Sequence, residues 1–434
     1  MGKYVSWGTY SPHRPTLHDY YWDNELARLM KSGAPVLAVG NRRSYGDVCL
    51  NTHGLNIVTD HADRFIQFDR DNGIVECCAG VGLDELNAIT VAAGWFVPVT
   101  PGTKYVTLGG MVANDVHGKN HHNAGTFGNH VLELTVLRSN DGFVVCRPDV
   151  NSDLFAATIG GMGLTGVITR IKIKLKKIAS RQLFVEDIPY STLHEFHQLT
   201  EESDAQWEYT VSWLNGGSVH ADDATGVFSR AKHVDKNADY LIKATRSPLH
   251  IPFVAPNLLL NRPLLKLFNR LYAFIHRRPR DSITEYNSFF YPLDQIENWN
   301  ILYGKRGFFQ YQFVVPMMGG LEVIKEILAI AKNYSHEPYL SVLKTFGTIK
   351  SVGLMSFPQA GYTLAMDFPH RGKATLTMLE EFDRILLAHH GKLYPAKDAR
   401  MSADTFQRMY PQAEKFKEYI DPGISSDFWR RVYA

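Results

Sequence analysis

At 434 residues the chain is too long for one ordinary hydrophobic core, so two domains are expected. With 46 basic against 44 acidic side chains the net charge is +2, which leaves no global field to attract nucleic acid. The four cysteines, Cys49, Cys77, Cys78 and Cys146, include no CxxC pair, so neither a disulfide framework nor a zinc site is expected.

Met1–Asp23 is polar and aromatic and lacks the apolar stretch of a signal peptide. No apolar run is long enough to span a bilayer, and Gly2–Ser6 offers only a short myristoylation pattern. The expected location is cytoplasmic. Up to about residue 177 the chain alternates short apolar runs with short helical patterns. Ala34–Val39, Ile74–Ala79 and Leu132–Leu137 read as strands, and Leu83–Ala93 and Asp153–Ile159 as helices. In Thr169–Lys176, Ile171, Ile173 and Leu175 alternate with Arg170, Lys172 and Lys174, the period of a half-buried strand.

A second zone runs from about 178 to 391. Helices are expected over Ser191–Glu202, Leu321–Lys332 and Leu376–His389, the last stopped by Gly391; strands are expected over Trp207–Leu214 and Phe308–Val315. This predicts a sheet with helices on one face. From Lys392 a third zone begins with a short strand, Lys392–Tyr394, and a helix started by Ser402. The fold class is α+β, with no internal repeat. Between Asp239 and Asp281 there is no acidic residue, and Arg and Lys alternate with Leu and Phe. That composition suits either a membrane-surface segment or a helix packed on the core with a basic rim.

Three glycine-rich segments carry the chemistry. In Val39-Gly-Asn-Arg-Arg-Ser-Tyr-Gly-Asp47, Gly40 and Gly46 permit close backbone approach, and Ser44 with neighbouring amides suits a pyrophosphate or a decorated turn. The second segment runs from Thr100 to Gly128. Pro101–Gly102 turns the chain, Gly109–Gly110 leaves bare backbone, and Asn114, His117, Asn120, His121 and His122 form a dense polar cluster. Its histidine spacing lacks the helical pair and carboxylate of a zinc site, so no metal is expected. In the third segment Gly161, Gly163 and Gly166 match G-x-G-x-x-G. However, a helix precedes and a strand follows, the reverse of the dinucleotide fold, so a nicotinamide-binding domain is rejected.

In this order and spacing the segments resemble the FAD-binding (PCMH-type) domain of the vanillyl-alcohol-oxidase superfamily. Within it, Arg43-Ser-Tyr-Gly-Asp47, Pro101-Gly-Thr103, His117-Gly-Lys-Asn-His-His122, Phe127-Gly-Asn-His130 and Gly163-Leu-Thr-Gly166 resemble the decaprenylphosphoryl-ribose oxidase family. So do Tyr291-Pro-Leu-Asp294, Gln310-Tyr-Gln-Phe313, Lys344-Thr-Phe-Gly347, Asp367-Phe-Pro369 and Leu393-Tyr-Pro-Ala-Lys-Asp398. These motifs cover most of the chain outside roughly 216–281. One departure is Ala365, where mycobacterial members carry a cysteine.

The resemblance implies an FAD-binding domain of 1–177 with 392–434, and a substrate domain of 178–391 carrying the basic insert of about 240–280. It implies a cofactor site made of Gly40, Asn41, Arg42, Arg43, Ser44, Tyr45 and Gly46 from the first segment. The second segment adds Pro101, Gly102, Thr103, Gly109, Gly110, Asn114, His117, Gly118, Asn120, His121 and Gly125, and Ile168 and Tyr394 complete the site. Arg43 stands where many members attach FAD through histidine, so non-covalent FAD is expected. The implied reaction is oxidation of the ribose 2-hydroxyl of a polyprenyl-phosphoryl ribose to the 2-keto sugar. A separate NAD(P)H-dependent reductase would complete the conversion to arabinose, and the lipid-linked substrate suggests peripheral contact with the inner membrane face. Lys397, His117 and Tyr45 are the candidate catalytic residues, with Lys397 either the base or a phosphate contact. Tyr291, Gln312, Lys344, Phe346 and Lys397 are the candidate substrate contacts, whereas Trp213 is read as core. The alternative is a soluble sugar, alditol or aldonolactone oxidase of the same superfamily.

Overall fold

The structure is a computed structural model and describes residues 6–9, 15–31, 33–217, 224–235, 249–250, 271, 275–276 and 278–433. Most of the 240–280 stretch lies outside these residues.

The N-terminal zone holds two sheets. Strands β1 (Thr16–Asp19), β2 (Val36–Val39) and β3 (Leu55–Val58) pair in parallel in the order β1-β3-β2. Strands β4 (Phe65–Asp69), β5 (Ile74–Cys78), β7 (Val131–Arg138), β8 (Gly142–Cys146) and β9 (Val167–Lys174) form an antiparallel sheet ordered β4-β5-β9-β7-β8. Two short strands, β6 (Trp95–Phe96) and β10 (Lys176–Lys177), pair beside it. Helix Ser152–Thr158 precedes the third glycine segment and β9 follows it, the reversed order that rules out a nicotinamide fingerprint.

An eight-stranded antiparallel sheet dominates the rest. Its strands are β11 (Gln182–Tyr190), β12 (Tyr209–Leu214), β13 (Gly226–His233), β15 (Arg280–Glu285), β17 (Phe308–Val315), β18 (Ser341–Phe346), β19 (Gly361–Pro369) and β20 (Lys392–Leu393). Their order is β15-β11-β13-β12-β18-β19-β17-β20. A further pair, β14 (Leu249–His250) and β16 (Ile296–Glu297), runs parallel.

Strand parity gives this sheet two unlike faces. From β17, Phe309, Tyr311, Phe313 and Val315 enter a core with Ile324 and Ile327 of helix Gly320–Asn333 and Met378 and Phe382 of helix Lys373–Ala388. The intervening Gln310 and Gln312 face a cavity on the other side. Strand β19 repeats the pattern, with Leu364, Met366 and Phe368 in the core and Ala365 lining the cavity.

The C-terminal tail returns to the N-terminal zone. Val36 pairs with Ile424, Asp427 accepts from Thr52 N and Oγ1 at 2.9 Å each, and Arg431 bridges Asp47 at 2.8 Å and Asp398 at 2.9 Å.

Two departures from expectation have a local cause. Strand β12 begins at Tyr209 because the Trp207 N–H caps the preceding helix on Ser203 O at 2.9 Å. After helix Lys373–Ala388 the left-handed residue is His390, φ 55°, not Gly391. Gly391 is small for another reason: a Cβ there would stand 3.1 Å from Val314 O of β17.

Candidate active site

A cavity of about 1020 Å³ runs between the N-terminal sheets and the non-helical face of the large sheet. Its first wall is the loop after β2. This loop is pinned from both chain ends: Trp7 N donates to Ser44 O at 2.8 Å, and Tyr45 N donates to Ala396 O at 3.0 Å. Gly40 is required because a Cβ would lie 2.1 Å from Thr107 Oγ1 in the second segment. Arg43 packs its guanidinium 4.1 Å from the Trp7 ring centroid and donates Nε to Tyr105 O at 3.2 Å.

The second wall holds Pro101, Gly102, Thr103, Gly109 and Gly110. Lys104 N donates to Asp294 Oδ2 at 2.8 Å, tying this turn to the short helix Pro292–Gln295. The wall fits a bulky polar cofactor on two observations. A Cβ at Gly102 would meet no protein atom within 4 Å, so bare backbone faces the cavity. In addition, Asn114 Oδ1 is buried without a hydrogen-bond partner, although Nδ2 of the same amide bonds Gly110 O at 2.8 Å.

His117 is the hub of the deeper end. Its Nε2 lies 2.8 Å from Gln312 Nε2, and its Nδ1 lies 3.2 Å from Lys344 Nζ. In the arrangement shown the Gln312 amide donates to Nε2, so the ring proton sits on Nδ1 and Lys344 accepts it as a neutral amine. Protonation of Lys344 reverses both bonds and turns the Gln312 oxygen toward the ring. Burial, with the Lys397 charge, pulls Lys344 down to about 7, so both arrangements are accessible near neutrality. Burial and then Lys344 hold His117 well below the usual imidazole range, so the ring is neutral.

Lys397 enters from the segment after β20. Its Nζ stands 3.9 Å from the centroid of the Tyr45 ring. Burial lowers it to about 8, against the raising influence of Asp367. Asp367 in turn is pushed up to about 7 by burial, while Gln310 Nε2 donates to it at 2.7 Å and Tyr303 OH at 3.4 Å. Tyr394 stacks on Phe357 at 4.7 Å and donates its hydroxyl to Asn114 O at 2.9 Å.

The structure brings most of the expected residues to this cavity: Gly40–Tyr45, Pro101–Thr103, Gly109, Gly110, Asn114, His117, Gly118, Ile168, Gln312, Lys344, Tyr394 and Lys397 all line it. Six expected residues stand outside its lining. Gly46 makes room for the tail, since a Cβ would lie 1.5 Å from Asp398 O. Asn120 is spent on Pro98 O at 2.8 Å. His121 packs on Phe346 at 4.7 Å, and Phe346 wedges behind His117 at 4.8 Å. Gly125, φ 67°, ends helix His121–Ala124. The Tyr291 hydroxyl accepts from Asn87 Nδ2 at 3.2 Å and shares a hydrogen bond with Thr100 Oγ1 at 2.7 Å, bracing the second segment from behind.

Trp213, expected in the core, lines the cavity instead, because β12 presents odd-numbered positions to that face. Lys119, Gln310, Asp294 and Trp7 also line it and were not singled out from sequence. Lys119, Asp294 and Gln310 lie inside motifs that carry the resemblance; for Gln310 the signal that isolates it is strand pairing, which one sequence does not display. Among the described residues no group of three or more His, Cys, Asp or Glu is placed to hold a metal.

Residues 24–147, which include the loop after β2 and the second glycine segment, match the FAD binding domain family. The class is thereby that of FAD-dependent oxidoreductases. Over 420 residues the chain is 35% identical to the decaprenylphosphoryl-β-D-ribose oxidase of Mycolicibacterium smegmatis, spanning 93% of this chain and 90% of that protein. It therefore belongs to the decaprenylphosphoryl-ribose oxidase family. An uncharacterized Streptomyces coelicolor protein is 28% identical over 369 residues, 81% of this chain and 100% of that one. A D-lactate dehydrogenase of Archaeoglobus fulgidus is 30% identical over 135 residues, 30% of either chain.

Proposed function

We propose that the chain oxidises the 2-hydroxyl of a polyprenyl-phosphoryl ribose to the 2-keto sugar. The observation that carries this is the continuity of one cavity from bare glycine backbone at Gly102 to Lys397 and Gln312. The cradle around Gly40–Tyr45 and Pro101–Gly110 holds FAD, which supplies the acceptor for the hydride leaving the sugar carbon. Lys397 takes the hydroxyl proton on its neutral Nζ, and Asp367 stabilises the ammonium that results. Gln312, fixed by His117, orients the sugar, and the closed face of the sheet keeps water from the reacting carbon.

FAD is bound non-covalently in this reading. His117 has both ring nitrogens engaged, and the thiol of Cys49, also at the cavity, is pushed up to about 12 by burial. The cofactor domain comprises 1–177 with 392–434, and the substrate domain 178–391. A separate NAD(P)H-dependent reductase consumes the keto product. Contact with the inner membrane face through the basic 240–280 stretch follows from composition, and pure protein that ignores anionic liposomes at low salt would refute it. No helix among the described residues is long and apolar enough to cross a membrane.

The test is anaerobic bleaching of the flavin band of the purified holoenzyme. Prenyl-phosphoryl ribose should bleach it; bleaching by free sugars or aldonolactones alone would favour the soluble oxidase.

A further inference from the structure

The cavity face of the large sheet changes character strand by strand. On β17 it presents Gln310 and Gln312, on β19 Ala365 and on β18 Lys344; Val342 on β18 and Val211 and Trp213 on β12 then make an apolar stretch, before Ser229 on β13, Asp187 on β11 and Ser282 and Thr284 on β15 line it again. Opposite Lys344 stands Lys119, whose Nζ lies 4.1 Å from the centroid of the Phe289 ring and bonds Phe289 O. Lys344 Nζ reaches Gly118 O at 3.3 Å, so it is tied to the residue that precedes Lys119. Neither has a carboxylate ion-pair partner among the described residues. Asp187, whose charge bears on Lys119, already accepts from Ser229 Oγ at 2.5 Å.

We infer that Lys119 and Lys344 form the subsite for the phosphoryl group of the substrate, with the sugar over β17 and β19 and the first prenyl units over β12. This rests on the proposed substrate and fixes its direction in the cavity. From β17 to β12 the order polar, cationic, apolar repeats the order sugar, phosphate, first prenyl unit along the molecule. In the substrate the phosphate sits on the carbon next to the one oxidised. The anion must therefore lie near the base, and Lys344 lines the same cavity as Lys397 and feels its charge.

Each lysine repels the other, since Lys344 helps lower Lys119 to about 7 after burial. An anion between them restores both charges. Protonated Lys344 then turns the Gln312 amide oxygen toward His117, so phosphate binding sets the orientation of the group that meets the sugar. Lys397 is left free for the proton transfer rather than for the phosphate.

The test uses the FAD-loaded full chain and two substrates, farnesyl-phosphoryl ribose and a farnesyl riboside lacking phosphate, with flavin bleaching followed by stopped flow. Wild type should prefer the phosphorylated compound. Lys119→Gln should erase about tenfold or more of that preference, mainly through KM, and Lys119→Arg should restore most of it. Lys344→Gln should act in the same direction with an added loss in kcat through His117. Equal loss on both substrates, or no loss in Lys119→Gln with normal FAD content, overturns the assignment. A wild-type flavin bleached by neither compound overturns the substrate reading itself and takes the subsite with it.

Discussion

Lys397 Nζ stands 3.9 Å from the centre of the Tyr45 ring, so the candidate base rests on a residue of the first glycine segment. In its ammonium form Lys397 is held against the Tyr45 ring by a cation–π contact, and Asp367 lies within electrostatic reach of it. Replacement by Ala should leave the flavin bound, because the cradle is built elsewhere. The rate of flavin bleaching by prenyl-phosphoryl ribose should fall by roughly 10²–10⁴, the usual worth of a positioned base. A variant with near-normal turnover removes Lys397 from the mechanism.

The pH profile follows from the same pair. Lys397 acts as a base only when neutral, so bleaching should rise with pH through about 8, where burial has placed its ionisation. The Asp367 carboxylate favours the ammonium form, so Asp367→Asn should move that limb to lower pH. A limb unmoved in Asp367→Asn, measured by stopped flow from pH 6 to 10, would uncouple the two residues.

Glycine substitutions separate cofactor binding from folding. At Gly102 a Cβ meets no protein atom within 4 Å, so Gly102→Val should fold with a normal melting curve yet carry less FAD. At Gly46 a Cβ would sit 1.5 Å from Asp398 O, so Gly46→Ala should lower the melting temperature of protein with and without cofactor. The flavin-to-protein absorbance ratio and thermal melts distinguish the two; a Gly102→Val protein with full flavin content contradicts the cradle.

The tail is latched by charge. Arg431 links Asp47 and Asp398 at 2.8 and 2.9 Å and donates to Met401 O. Arg431→Ala leaves two largely buried carboxylates without their cation and should cost about 3 kcal/mol in urea unfolding. A cost under about 1 kcal/mol, the level of an exposed pair, would show the latch to be dispensable.

Covalent attachment has a direct readout. Denaturing the yellow protein should release the colour to the supernatant. Colour retained on the polypeptide would mean that a side chain other than Arg43 forms the bond.

Much of this molecule was written locally in the chain. Glycine runs mark bare backbone because only glycine tolerates the contacts at Gly40 and Gly109, and the alternation in Phe308–Val315 marks a strand with two faces. The reversed helix–strand order around Gly161–Gly166 excluded the nicotinamide fold without any structure. Which polar residue reaches the cavity was settled by pairing between distant segments. Gln310 and Asp367 meet because β17 and β19 pair Gln310 with Asp367 in register. Lys119 and Lys344 share a cavity because the second segment folds over β18. Asn120 and His121, as polar as His117, turn into the wall three and four residues later, since a tight turn aims nearby side chains apart. The sequence by itself determined the class, the runs of bare glycine backbone and the alternating faces, since these are set by residues near one another in the chain. The tertiary structure alone decided which lysine, glutamine and aspartate stand together, because their proximity depends on strand register and on a tail that closes some 380 residues from the loop it pins, Asp47 to Arg431 being 384 apart.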